Sequence, residues 1–435
     1  MKNKKRIIHF SSSANTTLPG PDDITRVEFP NGLVLLTRPN FSSPSVVISG
    51  YLPAGSIYEP DDKLGLAHFT ASASMRGTHQ RPFQHIYDAL ESVGANLGLG
   101  AGAHTTGFNG RALVEDLHLL LGLLVEVLQQ PAFPDDQVER LRAQILTGLS
   151  MRAQDTGEMA SLTFDEIIFA GHPYRRPEDG YTETIQAITQ DDLLGFHHQY
   201  YGPQRMVLAI VGAISPAQAI DEVTQVLGSW ENPRQPGPAE LPSLAPMTRS
   251  IRKHIPIAGK TQTDLVIGAV GPTRKSRGYV SASLGNNILG QFGMYGRIGD
   301  VVREQSGLAY YAFTSLNAGI GPGSWEVSAG VNPNNLEKTI DLIKSEISRF
   351  TREPVTPGEL ADSQANYIGR LPLSLESNGG MASALLNLER FDLGLDYYRR
   401  YAQMVNQVTP EAILETVRLY LNPEILAIVS AGPGE

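Results

Sequence analysis

The chain has 435 residues, 41% of them hydrophobic and 18% charged, enough for two or more domains with ample cores and without the composition of a disordered protein. Its formal charge of −10 argues against a nucleic-acid or anionic-membrane partner, since both need a basic face. With no cysteine, disulfides, thiolate metal sites and cysteine nucleophiles are all excluded.

Residues 1–24 read as a flexible leader. It starts basic, but its apolar run, Ile7-Ile8-His9-Phe10, is too short for a secretory signal. No window of about 20 apolar residues predicts a membrane span, so the expected compartment is the cytoplasm. An N-terminal domain is expected over 25–231. Within it, 27–36 predict two strands joined at Asn31-Gly32, the dipeptide that best tolerates the positive φ of a tight hairpin. Residues 45–52 predict an apolar strand, followed by a helix through His68. Gly98-Leu99-Gly100-Ala101-Gly102 lacks the spacing and the lysine of a phosphate loop, and reads as flexible or tightly packed strand. Leu117, Leu120, Leu121, Leu124 and Leu128 recur at helical spacing, and Leu119, Leu123 and Val125 widen their stripe into a helix buried nearly all round.

Prolines 233, 236, 238, 242 and 246 mark 232–250 as a semi-extended linker to a second domain over 251–435. Thr189, Leu194, Tyr200 and Pro203 recur 220 residues later as Thr409, Leu414, Tyr420 and Pro423. After a slip of two residues, Ala209-Ile210-Val211 matches Ala427-Ile428-Val429, which points to an internal duplication. The expected fold class is therefore α+β, two homologous sandwich-like domains with helices on one face of a mostly antiparallel sheet. Late in the chain, 300–304 should close a helix, Gly307 supply a turn and 308–316 form a strand.

The stretch Gly65-Leu66-Ala67-His68-Phe69-Thr70-Ala71-Ser72, with Met75-Arg76-Gly77-Thr78 after it, resembles the H-x-x-E-H segment of the pitrilysin/insulinase-type (M16) zinc peptidases, which include mitochondrial processing peptidase. Two histidines four apart share a helix face and can reach one zinc ion, while the intervening glutamate activates its water. Here only His68 is kept. Ala71 stands at the glutamate position and Ser72 at the second histidine. The family's third ligand, a glutamate, falls on Gly148 within Ile145-Leu146-Thr147-Gly148-Leu149. Alanine and glycine have no donor atom, serine is a poor zinc ligand, and one imidazole cannot hold a catalytic metal, so no metal is expected in this chain. His68 then reads as a half-buried helix histidine. His79, His85, His197 and His198 lack the spacing that converges on one ion.

The resemblance runs through most of the chain, including 94–106, 372–378 and 393–398. Its most specific part is Val302-Arg303-Glu304-Gln305-Ser306-Gly307-Leu308-Ala309-Tyr310, which is similar to the R-E-x-x-G-L-A-Y signature of the family's C-terminal domain. In isolation, an arginine and a tyrosine at this spacing read as a surface ion pair and a ring filling a sheet interface. Within the signature, the resemblance implies that Arg303 and Tyr310 contact a bound peptide near the scissile bond. Loop 290–296 lies where the non-catalytic mitochondrial subunit carries a glycine-rich substrate loop, though here it is shorter. The resemblance thus implies a duplicated half-clamshell and a non-catalytic, substrate-binding subunit of a heterodimeric zinc metallopeptidase. Zinc and H-x-x-E-H would belong to a partner chain, and the substrate would be a peptide or an unfolded protein. The alternative is a peptidase-like scaffold subunit with no proteolytic role.

Overall fold

The structure is a computed structural model that describes residues 18–293 and 296–434. The expected leader lies outside the described residues up to position 17, but its last part is fastened down. Ile24 is buried, and Arg399, 375 or more positions away, pairs with both Asp22 and Asp23.

Six strands form the first sheet: β1 (Thr25–Glu28), β2 (Val34–Pro39), β3 (Ser45–Leu52), β4 (Asn96–Ala101), β5 (Thr106–Leu113) and β6 (Val207–Gly212). Their spatial order is β1-β2-β6-β3-β5-β4, and only β2 and β6 run parallel. The second sheet holds β7 (Ile251–Pro256), β8 (Thr263–Val270), β9 (Ala309–Leu316), β10 (Ser324–Val331) and β11 (Ala427–Gly432) in the order β7-β11-β8-β10-β9. Again a single pair, β7 and β11, is parallel. With β1 set aside, the two orders correspond strand for strand, parallel pair included. The duplication is thus a property of the fold.

Local chemistry sets many of these boundaries. Gly32, at φ +85°, turns β1 back onto β2, as the Asn-Gly pair predicts. Helices Gln190–Tyr200 and Pro410–Tyr420 start behind Thr189 and Thr409, whose hydroxyls accept from the backbone N–H groups of Asp192 and Ala412. Both helices and the strands after them, β6 and β11, keep an offset of 220. The two-residue slip suggested by Ala-Ile-Val is therefore wrong. It came from aligning similar apolar residues inside two strands that are buried throughout.

Helices cover more than one face of each sheet, contrary to the expected one-sided packing. On one face of the first sheet, Leu35, Val46, Ile48, Leu208 and Ile210 join helices Leu66–Ser74 and Leu117–Gln129 in a single core. On the opposite face, Val34, Leu36, Val207, Ala209 and Val211 pack against Met381, Ala382 and Leu385 of helix Asn378–Arg390, which belongs to the second half. The exchange is reciprocal. Ala160, Phe164 and Ile168 of helix Thr156–Ile168 pack on Val266, Ala427, Val429 and Ala431 of the second sheet. The divisions 25–231 and 251–435 are continuous in sequence but are not packed as separate units.

Segment 232–250 contains no helix or strand. Among the described residues no helix is long and apolar enough to cross a membrane.

Candidate functional site

Helix Leu66–Ser74 begins at Gly65, whose φ of +92° is the left-handed conformation that favours glycine. The Glu59 carboxylate caps it, accepting from the N–H of Gly65 at 3.0 Å and of Ala67 at 2.6 Å. Burial nevertheless pushes the Glu59 carboxyl up to about 7, against these backbone hydrogen bonds. His68 is half-buried, and desolvation lowers its pKa while the Asp179 carboxylate opposes the shift. Ala71 is 0% exposed and its methyl group is part of the interior. Ser72 is partly exposed. Gly148 lies on the exposed side of helix Asp135–Arg152, which packs on the His68 helix, and a Cβ there would meet nothing within 4 Å.

One turn past Gly148, Arg152 pairs with Asp179, donates to the Gly180 carbonyl at 2.9 Å and lies over the Tyr181 ring. The charge beside His68 is therefore a guanidinium–carboxylate pair. At the four positions that the sequence resemblance assigns to a metal site, the donor set is one imidazole, one hydroxyl, a methyl group and a hydrogen atom. These residues do not fit a catalytic zinc ion.

The Arg303–Tyr310 segment is shaped by two backbone irregularities. After the short helix Gly296–Gly299, residues Asp300–Glu304 widen into a π-helical turn, with Gln305 N–H donating to Asp300 O at 2.9 Å. Fully buried Ile298 and Val302 anchor it, and Arg297 braces it by a bidentate pair with Glu359 at 2.6 and 2.7 Å. That guanidinium holds the Glu359 carboxyl down at about 2. Gly307, at φ +62°, ends the turn, its N–H donating to Arg303 O at 2.9 Å while Leu308 N–H donates to Val302 O at 3.0 Å. Arg303 is 32% exposed, with Nε 3.6 Å from Glu304 Oε1.

Tyr310 sits in a β-bulge. Ala309 lies opposite Val331 and Tyr311 opposite Gly330, so Tyr310 has no cross-strand residue and its ring, 84% exposed, is turned outward. The interface-filling alternative is thereby excluded for Tyr310. Its neighbour Tyr311 takes that part, donating to the buried Asp264 carboxylate at 2.7 Å. β9, which carries Tyr310, is an edge strand, and so is β4 of the first sheet. In β4 a Cβ at Gly98 or Gly100 would meet nothing within 4 Å, so these glycines leave a clear flank and are not tightly packed. In loop 290–296, Met294 and Tyr295 lie outside the described residues.

One group of residues escapes sequence reasoning. A cavity of about 370 Å³ between the halves is lined by Asp165 and Tyr174 from the first and Glu326 from the second. Burial, and then the Glu326 carboxylate, push Asp165 up to about 7. The two acids are 161 positions apart, and no local pattern links them. Because the folded pKa of Asp165 lies above its unfolded value of 3.8, its favourable contribution is complete below pH 4 and is lost as pH rises through 7. Asp165→Asn should therefore raise stability at pH 8 by on the order of 2 kcal/mol and change it little at pH 4. Thermal melts at the two pH values check this, and an equal change at both would contradict it.

Comparison with known proteins identifies the family of the fold. Residues 34–177 match the family model described as Insulinase (Peptidase family M16), and residues 187–367 match that described as Peptidase M16 inactive domain. An uncharacterised zinc protease of Mycobacterium leprae (strain TN) is 25% identical over 410 residues, 93% of this chain and 91% of its own length. A probable mitochondrial-processing peptidase subunit beta of Arabidopsis thaliana is 27% identical over 229 residues, 51% of this chain and 43% of its own. The crystal structure of a peptidase M16 inactive domain from Pseudomonas fluorescens superposes with a TM-score of 0.88 at 27% identity, covering 95% of this chain and 99% of that one. Two family models placed end to end, a zinc protease relative matched over 91% of its length and a shared fold lead to one conclusion: the chain belongs to the M16, insulinase-type peptidase family.

Proposed function

We propose that this chain is the non-catalytic, substrate-binding subunit of a heterodimeric zinc metallopeptidase, in which Arg303 and Tyr310 hold the peptide at an active site completed by a partner chain. The supporting observation is a contrast within one molecule. The metal positions carry Ala71, Ser72 and Gly148, whereas the Arg303–Tyr310 segment is intact and presented by a π turn and a bulge. Such irregularities forfeit regular hydrogen bonding and recur where a side chain must be aimed at a site.

The partner would carry H-x-x-E-H and zinc, which supplies an activated water. This chain's share is to bind and orient. The Arg303 guanidinium donates to peptide carbonyls at any physiological pH, and the exposed Tyr310 phenol can donate to an oxyanion as it forms. Substrates would be peptides or unfolded segments laid along a sheet edge, where main-chain hydrogen bonds read backbone more than side chain. The edge strands β4 and β9 suit that mode.

Titrating the chain into an H-x-x-E-H-bearing M16 chain from the same source, with a quenched fluorescent peptide as substrate, tests the proposal. Turnover should rise to a plateau at a 1:1 ratio. A stable complex with no turnover at any ratio would instead establish the scaffold role.

A further inference from the structure

We propose that the cleft between the two halves binds a short peptide with free termini, its carboxylate at Arg390 and its ammonium group at Asp165 and Glu326. Two cavities adjoin there, of about 470 and 370 Å³, and they share His104 and Ile320 in their walls. Both draw their lining from both halves. This site requires no catalytic partner and lies outside the metal positions and the Arg303–Tyr310 segment.

Arg390 marks the cationic end. It stands in the last turn of helix Asn378–Arg390, with its guanidinium 4.3 Å over the Tyr51 ring. Its neighbour Glu389 is taken by Arg26 in a bidentate pair at 2.9 and 2.7 Å. Among the described residues no carboxylate comes within ion-pair distance of Arg390. Its polar contacts are neutral oxygens, those of Thr105 at 3.4 Å and Tyr51, and its buried Nε has no hydrogen-bond partner. A half-buried guanidinium offered only neutral oxygens gains from a carboxylate able to accept two of its N–H groups.

The opposite end is mainly acidic: Asp165, Glu178 and Glu326 line it, and the one guanidinium among them, Arg176, is paired with Asp61 at 2.6 Å. Asp165, on helix Thr156–Ile168, has no side-chain hydrogen bond among the described residues. Glu326, on β10, has Ser324 and a long contact of 3.5 Å from Asn317 Nδ2. Each carboxyl is disfavoured in its charged form by burial, and the proximity of Glu326 adds to the effect on Asp165. An ammonium group placed between them would relieve both burdens.

In the smaller cavity Tyr174 fixes the wall beside His104, which both cavities share. Its hydroxyl lies 2.5 Å from His104 Nε2 and accepts from Gly321 N–H at 3.0 Å. A Cβ at Gly321 would collide with that hydroxyl, so the glycine in the β9–β10 loop is required for this contact. A ligand with one positive and one negative terminus, joined by a backbone that advances about 3.3–3.6 Å per residue, fits this polarity.

Calorimetry on the isolated chain at pH 7.5 with alanine peptides of two to five residues tests the proposal. Each length would be used with free ends, with a C-terminal amide and with an N-acetyl group. One length should bind best, and capping either end should weaken it at least tenfold. Arg390→Leu should abolish the preference for a free carboxylate, and Asp165→Asn combined with Glu326→Gln the preference for a free amine, in proteins whose circular dichroism matches the parent. Arg390→Lys, which keeps the charge and loses the fork, should give an intermediate loss. Absence of binding at millimolar peptide, or binding indifferent to either cap, would overturn the proposal.

Discussion

Replacing Arg303 with alanine in the reconstituted complex is expected to lower kcat/KM by about 10²- to 10³-fold, and Tyr310→Phe to lower kcat by a similar factor, with zinc content unchanged. Removing one preorganised donor to a developing oxyanion costs about 3 kcal/mol, and Tyr310→Phe removes only the hydroxyl. The tyrosine's effect should therefore appear in kcat. Loss of Arg303 should also raise KM, because a guanidinium gripping peptide carbonyls stabilises the bound substrate as well as the transition state. Stability gives the control. Tyr310 is 84% exposed, so its substitution should leave the melting temperature in place. Tyr311→Phe, which breaks the hydrogen bond to buried Asp264, should lower stability with little direct effect on turnover. Unchanged kcat in Tyr310→Phe would remove the phenol from the oxyanion role.

The second large effect concerns folding. Fragments 18–231 and 251–435, produced separately, should fail to unfold cooperatively, because each sheet would lose the helix the other half lends it. In the first fragment Val34, Leu36, Val207, Ala209 and Val211 would face solvent, and in the second Val266, Ala427, Val429 and Ala431 would do so. Co-expression should restore a soluble complex. In the intact chain, Leu385→Ala and Phe164→Ala, each removing a fully buried side chain from an exchanged helix, should cost about 3 kcal/mol or more. Denaturant titration measures both effects. A fragment unfolding cooperatively at the parent midpoint would show that the exchange is dispensable.

Features governed by neighbours in sequence were legible before the fold was known. The Asn31-Gly32 turn follows from backbone strain, the bounds of β3 from a largely apolar segment, Ser45–Leu52, and the leucine helix from its period. The repeated order of helix cap, helix and strand exposed the duplication, since Thr189 and Thr409 do the same chemistry. An apolar helix face, however, does not say which sheet it will cover, so the exchange of helices Thr156–Ile168 and Asn378–Arg390 left no mark in the sequence. Nor did the anchoring of residues 22–23 by Arg399.

The site divides in the same way. That Ala71 and Gly148 offer no donor atom and Ser72 only a hydroxyl was plain, because a ligand set is a list of donor atoms. That Arg303 stands in a π turn and Tyr310 in a bulge was not. Those irregularities depend on how Ile298 and Val302 are buried and on the step between Gly330 and Val331 in the facing strand.

Metal analysis of the purified chain alone, followed at once by a peptide-cleavage assay on the same sample, tests the division of labour most directly. The expected result is zinc far below one ion per chain and no cleavage, with both appearing when an H-x-x-E-H-bearing subunit is added. One tightly held zinc per isolated chain together with cleavage of the peptide would contradict it.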